Sequence, residues 1–385
     1  EKMFGKKILN TFEEIKDTFD KKNLLNPHKI VRAYKSDDRS LMRYKADYKA
    51  ENISTHYDWS EWGQFSDAVE MCNNNGACRK LDSGVMCPSY RVTKEEKDLV
   101  RGRANTLRLA LSNQLPKDSF VSKEMYKTME LCVSCKACQR ECPMSVDMAK
   151  MKSEFLSHYY KKFSMGLKDT VISNMPKLIW LLKITNPIIN KLNKLPLFSQ
   201  IIEWFGFSSK RNLPVVENQS PLREIYSTQP NLEKKVILFA DTFNINFEIK
   251  NLMYAIKVLN KFGYQAIIPS FQNDNLDRPL CCGRTYISLG QLDKAKQELE
   301  RFTKYIYDHS FFDLPVVGIE PSCLLTFNDE FKSLSNLKGR DKIKNTFFLL
   351  EEFVLNEIKN GNKVKPKEFN QNVLIHGHCH QKSQT

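Results

Sequence analysis

The 385-residue sequence predicts an α+β multidomain protein, helical in its first half and α/β in its second. Three observations carry that expectation. Seven cysteines fall before residue 143, at short spacings among helix-patterned segments. A basic, strongly apolar stretch then interrupts the chain, and from residue 234 buried-strand runs alternate with amphipathic helices. The expected organisation is a domain tail at 1–34, a connecting segment at 35–65, a helical cysteine domain at 66–162, a basic apolar helical linker at 163–230 and a cysteine-rich α/β domain at 231–385.

In chain order, Ile8, Phe12, Ile15 and Phe19 recur at helical spacing, and the turn-rich run Asp20 to Pro27 ends that helix. The polar segment 35–65 carries Tyr57, Trp59 and Trp62, which are expected to pack against the cysteine domain. Thr93 to Glu96 has the form of a capping box, with Leu99, Ala104, Leu107 and Leu111 as the apolar face of the helix it would open. Another helix is expected from about Asp147 to Lys162. Between 164 and 230, Trp180, Ile188, Ile201 and Trp204 are interleaved with lysines; the stretch reads as a packed helical linker or as a segment lying on a membrane surface. Val236–Ala240, Ala266–Ile268, Val316–Ile319 and Val373–His376 read as strands, and Asn345 to Lys359 as a helix. Laying Val236 on Val373 sets Thr242 opposite Cys379, so the chain is expected to begin a second copy of the unit and to be a fragment.

The run Cys132-x2-Cys135-x2-Cys138-x3-Cys142-Pro143 has the spacing with which thiolates hold 4Fe–4S cubes. Two-residue spacers let three thiolates converge on one cube, and Pro143 stops the loop. Cys72, Cys78 and Cys87, the last also followed by proline, look like the first half of a two-cluster arrangement. In the crossed ligation of two-cluster ferredoxins, Cys87 would complete the cube of Cys132, Cys135 and Cys138, and Cys142 would join Cys72 and Cys78. That leaves the first cluster one thiolate short, so it takes a non-cysteine ligand, keeps an open iron or is absent. The competing reading is a zinc-organised module.

Cys281-Cys282-Gly283 and Pro321-Ser322-Cys323 place three further cysteines in loops at one edge of the α/β sheet, as metal ligands, redox thiols or packing residues. His376, His378 and His380 flank Cys379 at alternate positions, which in a strand would share a face.

Bulk properties bound the function. Eleven cysteines, an odd number in ligand spacings, read as reduced thiols serving metals rather than a secreted disulfide framework. With no signal-peptide core and no eighteen-residue apolar run, the expected location is cytoplasmic, with the inner face of the membrane in reach. The formal charge of +14 is spread along the chain, which argues against nucleic acid.

The Cys-Cys-Gly and Pro-Ser-Cys elements resemble the cysteine-rich (CCG) domain of heterodisulfide reductases, of the iron–sulfur subunit of anaerobic glycerol-3-phosphate dehydrogenase and of lactate-utilisation proteins. Met71 to Arg79, Met86 to Tyr90, Arg101 to Asn105 and His376 to Lys382 look like the C-terminal half of large FAD-linked oxidases acting on D-lactate, glycolate or D-2-hydroxyglutarate, and Phe19 to Val31 like the tail of the flavin domain. The resemblance implies an iron–sulfur portion with no catalytic residue of its own, one or two 4Fe–4S clusters, and FAD in an upstream domain. It implies as partners that flavin domain, in cis or as a separate flavoprotein, a quinone or other acceptor, and a peripheral membrane contact. The alternative it leaves is a stand-alone electron-transfer subunit. Two positions depart from the pattern: Asp241-Thr242-Phe243 lacks the further cysteine of the CCG motif, so no full noncubane cluster is expected there, and His28 stands where the flavoprotein tail has glycine.

Overall fold

A computed structural model describes residues 3–384 apart from 36, 39, 41–43, 45–46, 194, 272–277, 344–345 and 365–369. The chain divides into two compact units, 1–50 and 51–385. In the first, helix α1 (Gly5–Phe19) ends where the sequence turns polar. The Asp20 carboxylate accepts the backbone N–H groups of Leu24 and Leu25 at 2.9 and 2.8 Å and pairs with Lys16, which fixes the exit.

The second unit opens on the aromatic segment, held by a buried acid. Glu154 accepts the backbone N–H groups of His56 and Tyr57 and faces the indole N–H of Trp59, so Tyr57 and Trp59 are buried, as expected of a segment packed on the helices. Residues 56–58 also pair with 333–335, through Asp58 N to Ser333 O at 2.7 Å and Ser335 N to His56 O at 2.8 Å. Helices α2 (Phe65–Glu70), α3 (Pro88–Thr93), α4 (Val100–Leu111), α5 (Lys123–Glu130), α6 (Ala137–Glu141) and α7 (Met148–Lys162) follow. The expected capping box is not a helix start. Thr93 ends α3, Lys94 takes a left-handed φ of 60°, and α4 begins after Leu99; Thr93 Oγ1 instead accepts the Glu95 N–H across the turn. The helix expected from Asp147 is α7, with the Asp147 carboxylate capping Lys150 N.

Helices α8 (Leu167–Ser173), α9 (Met175–Leu192), α10 (Pro196–Trp204) and α11 (Ser220–Ser227) fill the basic apolar stretch. The remainder runs β1 (Lys234–Phe239), α12 (Asn244–Phe247), α13 (Ile249–Lys261), β2 (Tyr264–Ile267), α14 (Arg284–Ser288), α15 (Leu292–Asp308), β3 (Val316–Gly318), α16 (Pro321–Asn328), α17 (Glu330–Ser333), β4 (Phe347–Leu349), α18 (Leu350–Lys359) and α19 (Cys379–Gln384). The four strands form a parallel sheet in the order β2-β1-β3-β4. Alternation along β1 divides the interior: Val236 and Leu238 pack with the apolar face of α13, while Ile237 and Phe239 enter a core that continues through Phe302 and Phe327 to Phe155, Leu107 and the cysteine-bearing helices. Helical half and sheet thus share one hydrophobic core.

Three expectations fail. Residues 373–376 form no strand, and Val373, Leu374 and Ile375 are exposed. A strand needs a paired neighbour, and the edge beside β3 is taken by Phe347–Leu349, a three-residue apolar run inside the helix expected from Asn345 to Lys359, which pairs with Val316–Gly318 and delays that helix to Leu350. His376, His378 and His380 therefore do not share a strand face, since His380 lies in α19.

Candidate functional site

After α5, Ser134 and Lys136 both adopt left-handed φ, 52° and 63°, coiling the chain tightly before α6 takes Cys138 into its first turn. Cys87 enters from the opposite side as the N-cap residue of α3, with Pro88 at the first helical position. Cys87, Cys132, Cys135 and Cys138, with apolar walls from Met86, Val100 and Met148, line one pocket. Cys142 does not line it. Burial, with the neighbouring Cys132, Cys87 and Cys379, pushes the Cys135 thiol up to about 11; burial and Asp147 raise Cys138 well above the usual thiol range. Both thiols hold their protons at neutral pH until a metal displaces them.

The donor set fits a 4Fe–4S cube. A cube offers a separate iron corner to each thiolate, so its ligands ring a cavity, whereas a structural zinc draws four ligands to within about 2.3 Å of one point. Among the described residues no three His, Cys, Asp or Glu side chains converge to hold a single metal ion.

Cys72 and Cys78 are buried together in front of α4. Burial raises the Cys78 thiol, opposed by the backbone N–H and charge of Arg101, while the nearby Cys72 adds to the rise. The turn Ala77–Arg79 that carries Cys78 packs on α6, which Cys142 closes, and Glu141 ties this flank together by accepting Val85 N at 2.6 Å and pairing with Lys80.

The third constellation sits where the sheet reverses its order. Asp241 follows β1 and Glu320 follows β3, the adjacent parallel strands from which the chain departs to opposite sides, a place where open α/β sheets bind ligands. Cys323 lies in the first turn of α16, and Gly283, at φ +78°, turns the Cys281-Cys282 pair into α14. All three thiols are buried, and the Cys281 and Cys282 sulfurs accept the backbone N–H groups of Gly283 and Arg284, each at 3.4 Å. The neighbouring Cys282 and burial raise Cys281. Cys282 lowers Cys323, but burial and the carboxylates of Asp241 and Glu320 outweigh it and leave Cys323 at about 11.

A buried ionic network joins this region to the four-cysteine cavity. Lys136, between Cys135 and Cys138, is 1% exposed, and its ammonium meets Asp147 at 3.1 Å, Asp329 at 2.6 Å and Glu330 at 3.1 Å. Burial works against the ammonium, but these carboxylates outweigh it and hold its pKa well above the usual lysine range. Glu330 also takes a two-pronged bond from Arg284 at 2.7 and 2.8 Å, so the residue after the Cys-Cys-Gly motif and the residue inside the Cys135–Cys138 loop clamp one carboxylate. Helix α19 closes the arrangement: the His380 ring bonds the Ser134 carbonyl at 3.0 Å and Arg140 donates to the Lys382 carbonyl at 3.0 Å. His378 approaches Glu320 at 4.0 Å, and His376 is exposed.

Arg103, Lys136, Arg284, Asp329 and Glu330 escaped the sequence reading. Lys136 and Arg284 had a signal in that each is embedded in a cysteine motif, but a charged residue in a loop ordinarily reads as solvated.

Residues 68–146 match the 4Fe–4S dicluster domain family. Along most of its length the chain is similar to curated D-2-hydroxyglutarate dehydrogenases: 23% identical over 385 residues to that of Pantoea ananatis, covering 86% of this chain and 36% of the relative, and 24% over 395 residues to that of Haemophilus influenzae, covering 89% and 36%. The Pseudomonas putida protein is 24% identical over 426 residues, covering 99% of this chain and 40% of the relative. The chain thus spans little more than a third of the length of the curated relatives it matches. No solved structure matches it significantly.

Proposed function

We propose that this chain is the iron–sulfur electron-transfer portion of a FAD-dependent 2-hydroxy-acid dehydrogenase, with D-2-hydroxyglutarate favoured as substrate by the names of its relatives. The observation that carries the reading is the cavity ringed by Cys87, Cys132, Cys135 and Cys138 inside a matched dicluster domain. Bound 4Fe–4S clusters supply one-electron steps, which a flavin reduced by two electrons requires in order to pass its charge onward. Cys87, Cys132, Cys135 and Cys138 would hold one cluster, and Cys72, Cys78 and Cys142 a second with an open or non-cysteine position. Cys281, Cys282 and Cys323 have a secondary role as metal ligands or redox thiols. In this reading the cluster domain and the CCG domain act as one body, because Lys136, Glu330 and Arg284 fasten one to the other. A stand-alone subunit docking on a separate flavoprotein is the second arrangement consistent with these features. Iron and sulfide analysis of anaerobically purified protein, with low-temperature EPR after dithionite reduction, tests the reading; fewer than about two irons per chain after reconstitution would refute it.

Quinone as acceptor and a cytoplasmic location at the membrane face are the finer parts of this proposal, and α9 supports them. Trp180, Leu181, Ile184 and Ile188 are exposed along about 100° of its surface, interleaved with Lys177, Lys183 and Lys191, and the helix contains no acidic residue. Among the described residues no helix is long and apolar enough to cross a membrane. Co-sedimentation with vesicles rich in phosphatidylglycerol, lost on Trp180→Ser with Ile184→Ser, is expected; equal binding by that variant would remove the contact from the account.

A further inference from the structure

Arg103 is fully buried, and its guanidinium is not consumed by a close ion pair. Its acidic partner among the described residues, Asp98, stands at 3.7 Å, and neither carboxylate oxygen of Asp98 has a hydrogen-bond partner among them. The guanidinium donates instead to the Asp98 carbonyl at 2.7 Å, the Thr128 carbonyl at 2.9 Å, Ser89 Oγ at 3.1 Å and the sulfur of Cys87 at 3.7 Å. Gly102 makes this placement available: a Cβ there would lie 2.1 Å from the Glu96 carbonyl oxygen, so only glycine lets the first turn of α4 press close enough for Arg103 to reach under Cys87.

The nest around Cys87 suits an anionic sulfur. As a thiol, Cys87 donates to the Asp98 carbonyl at 3.4 Å, but that oxygen is also served by Ser89 Oγ at 2.8 Å and by Arg103. Removing the Cys87 proton therefore orphans no acceptor, and the sulfur keeps the Arg103 N–H as its donor. A cube held by four thiolates carries net negative charge that grows by one on reduction, and a buried charge persists only where it is paired and hydrogen-bonded. Hydrogen bonds and cations at the ligand sulfur favour the more negative, reduced state.

We infer that Arg103 is a positioning residue that, through its N–H contact to the Cys87 sulfur, raises the reduction potential of the cluster held in the four-cysteine cavity, with Asp98 acting in the opposite sense. This inference rests on the proposed cluster occupancy, and iron content separates the two. The full chain and its Arg103→Met, Arg103→Lys and Asp98→Asn variants are purified anaerobically, counted for iron and sulfide, and titrated with EPR detection. Arg103→Met is expected to shift the midpoint lower, Arg103→Lys to shift it less, and Asp98→Asn to move it higher. A purely structural role would change cluster yield without giving opposite signs. If Arg103→Met does not retain the cluster, the signs of Arg103→Lys and Asp98→Asn decide. Variants with parental iron content and parental midpoints would overturn the inference; a parent with no cluster would overturn the underlying reading and the inference with it.

Discussion

Two sets of cysteines lie in or beside one hydrophobic core and are built for different ends. Cys87, Cys132, Cys135 and Cys138 line one pocket, and the Arg103 guanidinium in its wall contacts the Cys87 sulfur. Cys281, Cys282 and Cys323 are closely packed, the Cys281 and Cys282 sulfurs accepting the Gly283 and Arg284 N–H groups at 3.4 Å, with burial and nearby carboxylates favouring the protonated forms. The first set faces a shared pocket; the second is packed as thiols. Cysteine count and motif spacing do not draw that distinction, and the donors around each sulfur do.

The comparison breaks most easily at the cavity. Cys135→Ser or Cys138→Ser should abolish the cluster, seen as loss of about four irons per chain, whereas Cys323→Ser should keep the iron content of residues 66–162. The next largest effect falls on the link between the two sets. Lys136→Met strands Asp147 and Asp329 beside the more distant Lys150, which reaches Asp329 only at 3.7 Å, and should destabilise the protein by about 3–5 kcal/mol in urea unfolding. A variant as stable as the parent would mean that the network does not fasten the halves.

Acid should loosen the closing helix before the rest. Burial depresses the His380 ring to about 4, below its unfolded value of 6.5, so between those values the unfolded chain binds the proton that the folded chain refuses. Stability from this group is full above about pH 6.5 and falls as pH drops toward about 4, at up to about 1.4 kcal/mol per unit. Amide exchange in Cys379–Gln384 should accelerate over that window; His380→Gln should lack the dependence. The smallest expected effect is that of Cys323→Ser on stability, about 1–2 kcal/mol, since a buried hydroxyl costs more to desolvate and packs less well than sulfur. A larger loss, accompanied by loss of iron bound to the α/β half, would show that the second set is a metal site after all.

Much of this was legible in sequence. The cysteine spacing marked the four residues of the cavity, including Cys87 from forty-five positions upstream of Cys132. Val236–Ala240 and Ala266–Ile268 announced the first two strands of the α/β half, because short buried apolar runs between amphipathic helices leave a change of period. Illegible features depended on distant partners. Lys136 is buried because Asp329, 193 residues away, returns to it. Strand β4 has three residues and borrows its identity from β3, while the better-patterned Val373–Ile375 finds no edge and stays exposed. The Thr93 box failed because a left-handed Lys94 and a short turn at Glu96–Asp98 intervene before α4, the geometry that carries Asp98 and Arg103 to Cys87.

The most direct test of the account exchanges Cys87 and Cys142, the two cysteines followed by proline. Each is replaced singly by serine in the full chain, and the anaerobic proteins are compared by iron count and EPR. Cys87→Ser should alter or remove the cluster of Cys132, Cys135 and Cys138, and Cys142→Ser should leave its signal and midpoint unchanged. The reverse pattern, loss of that cluster with Cys142→Ser and its survival with Cys87→Ser, would contradict the account.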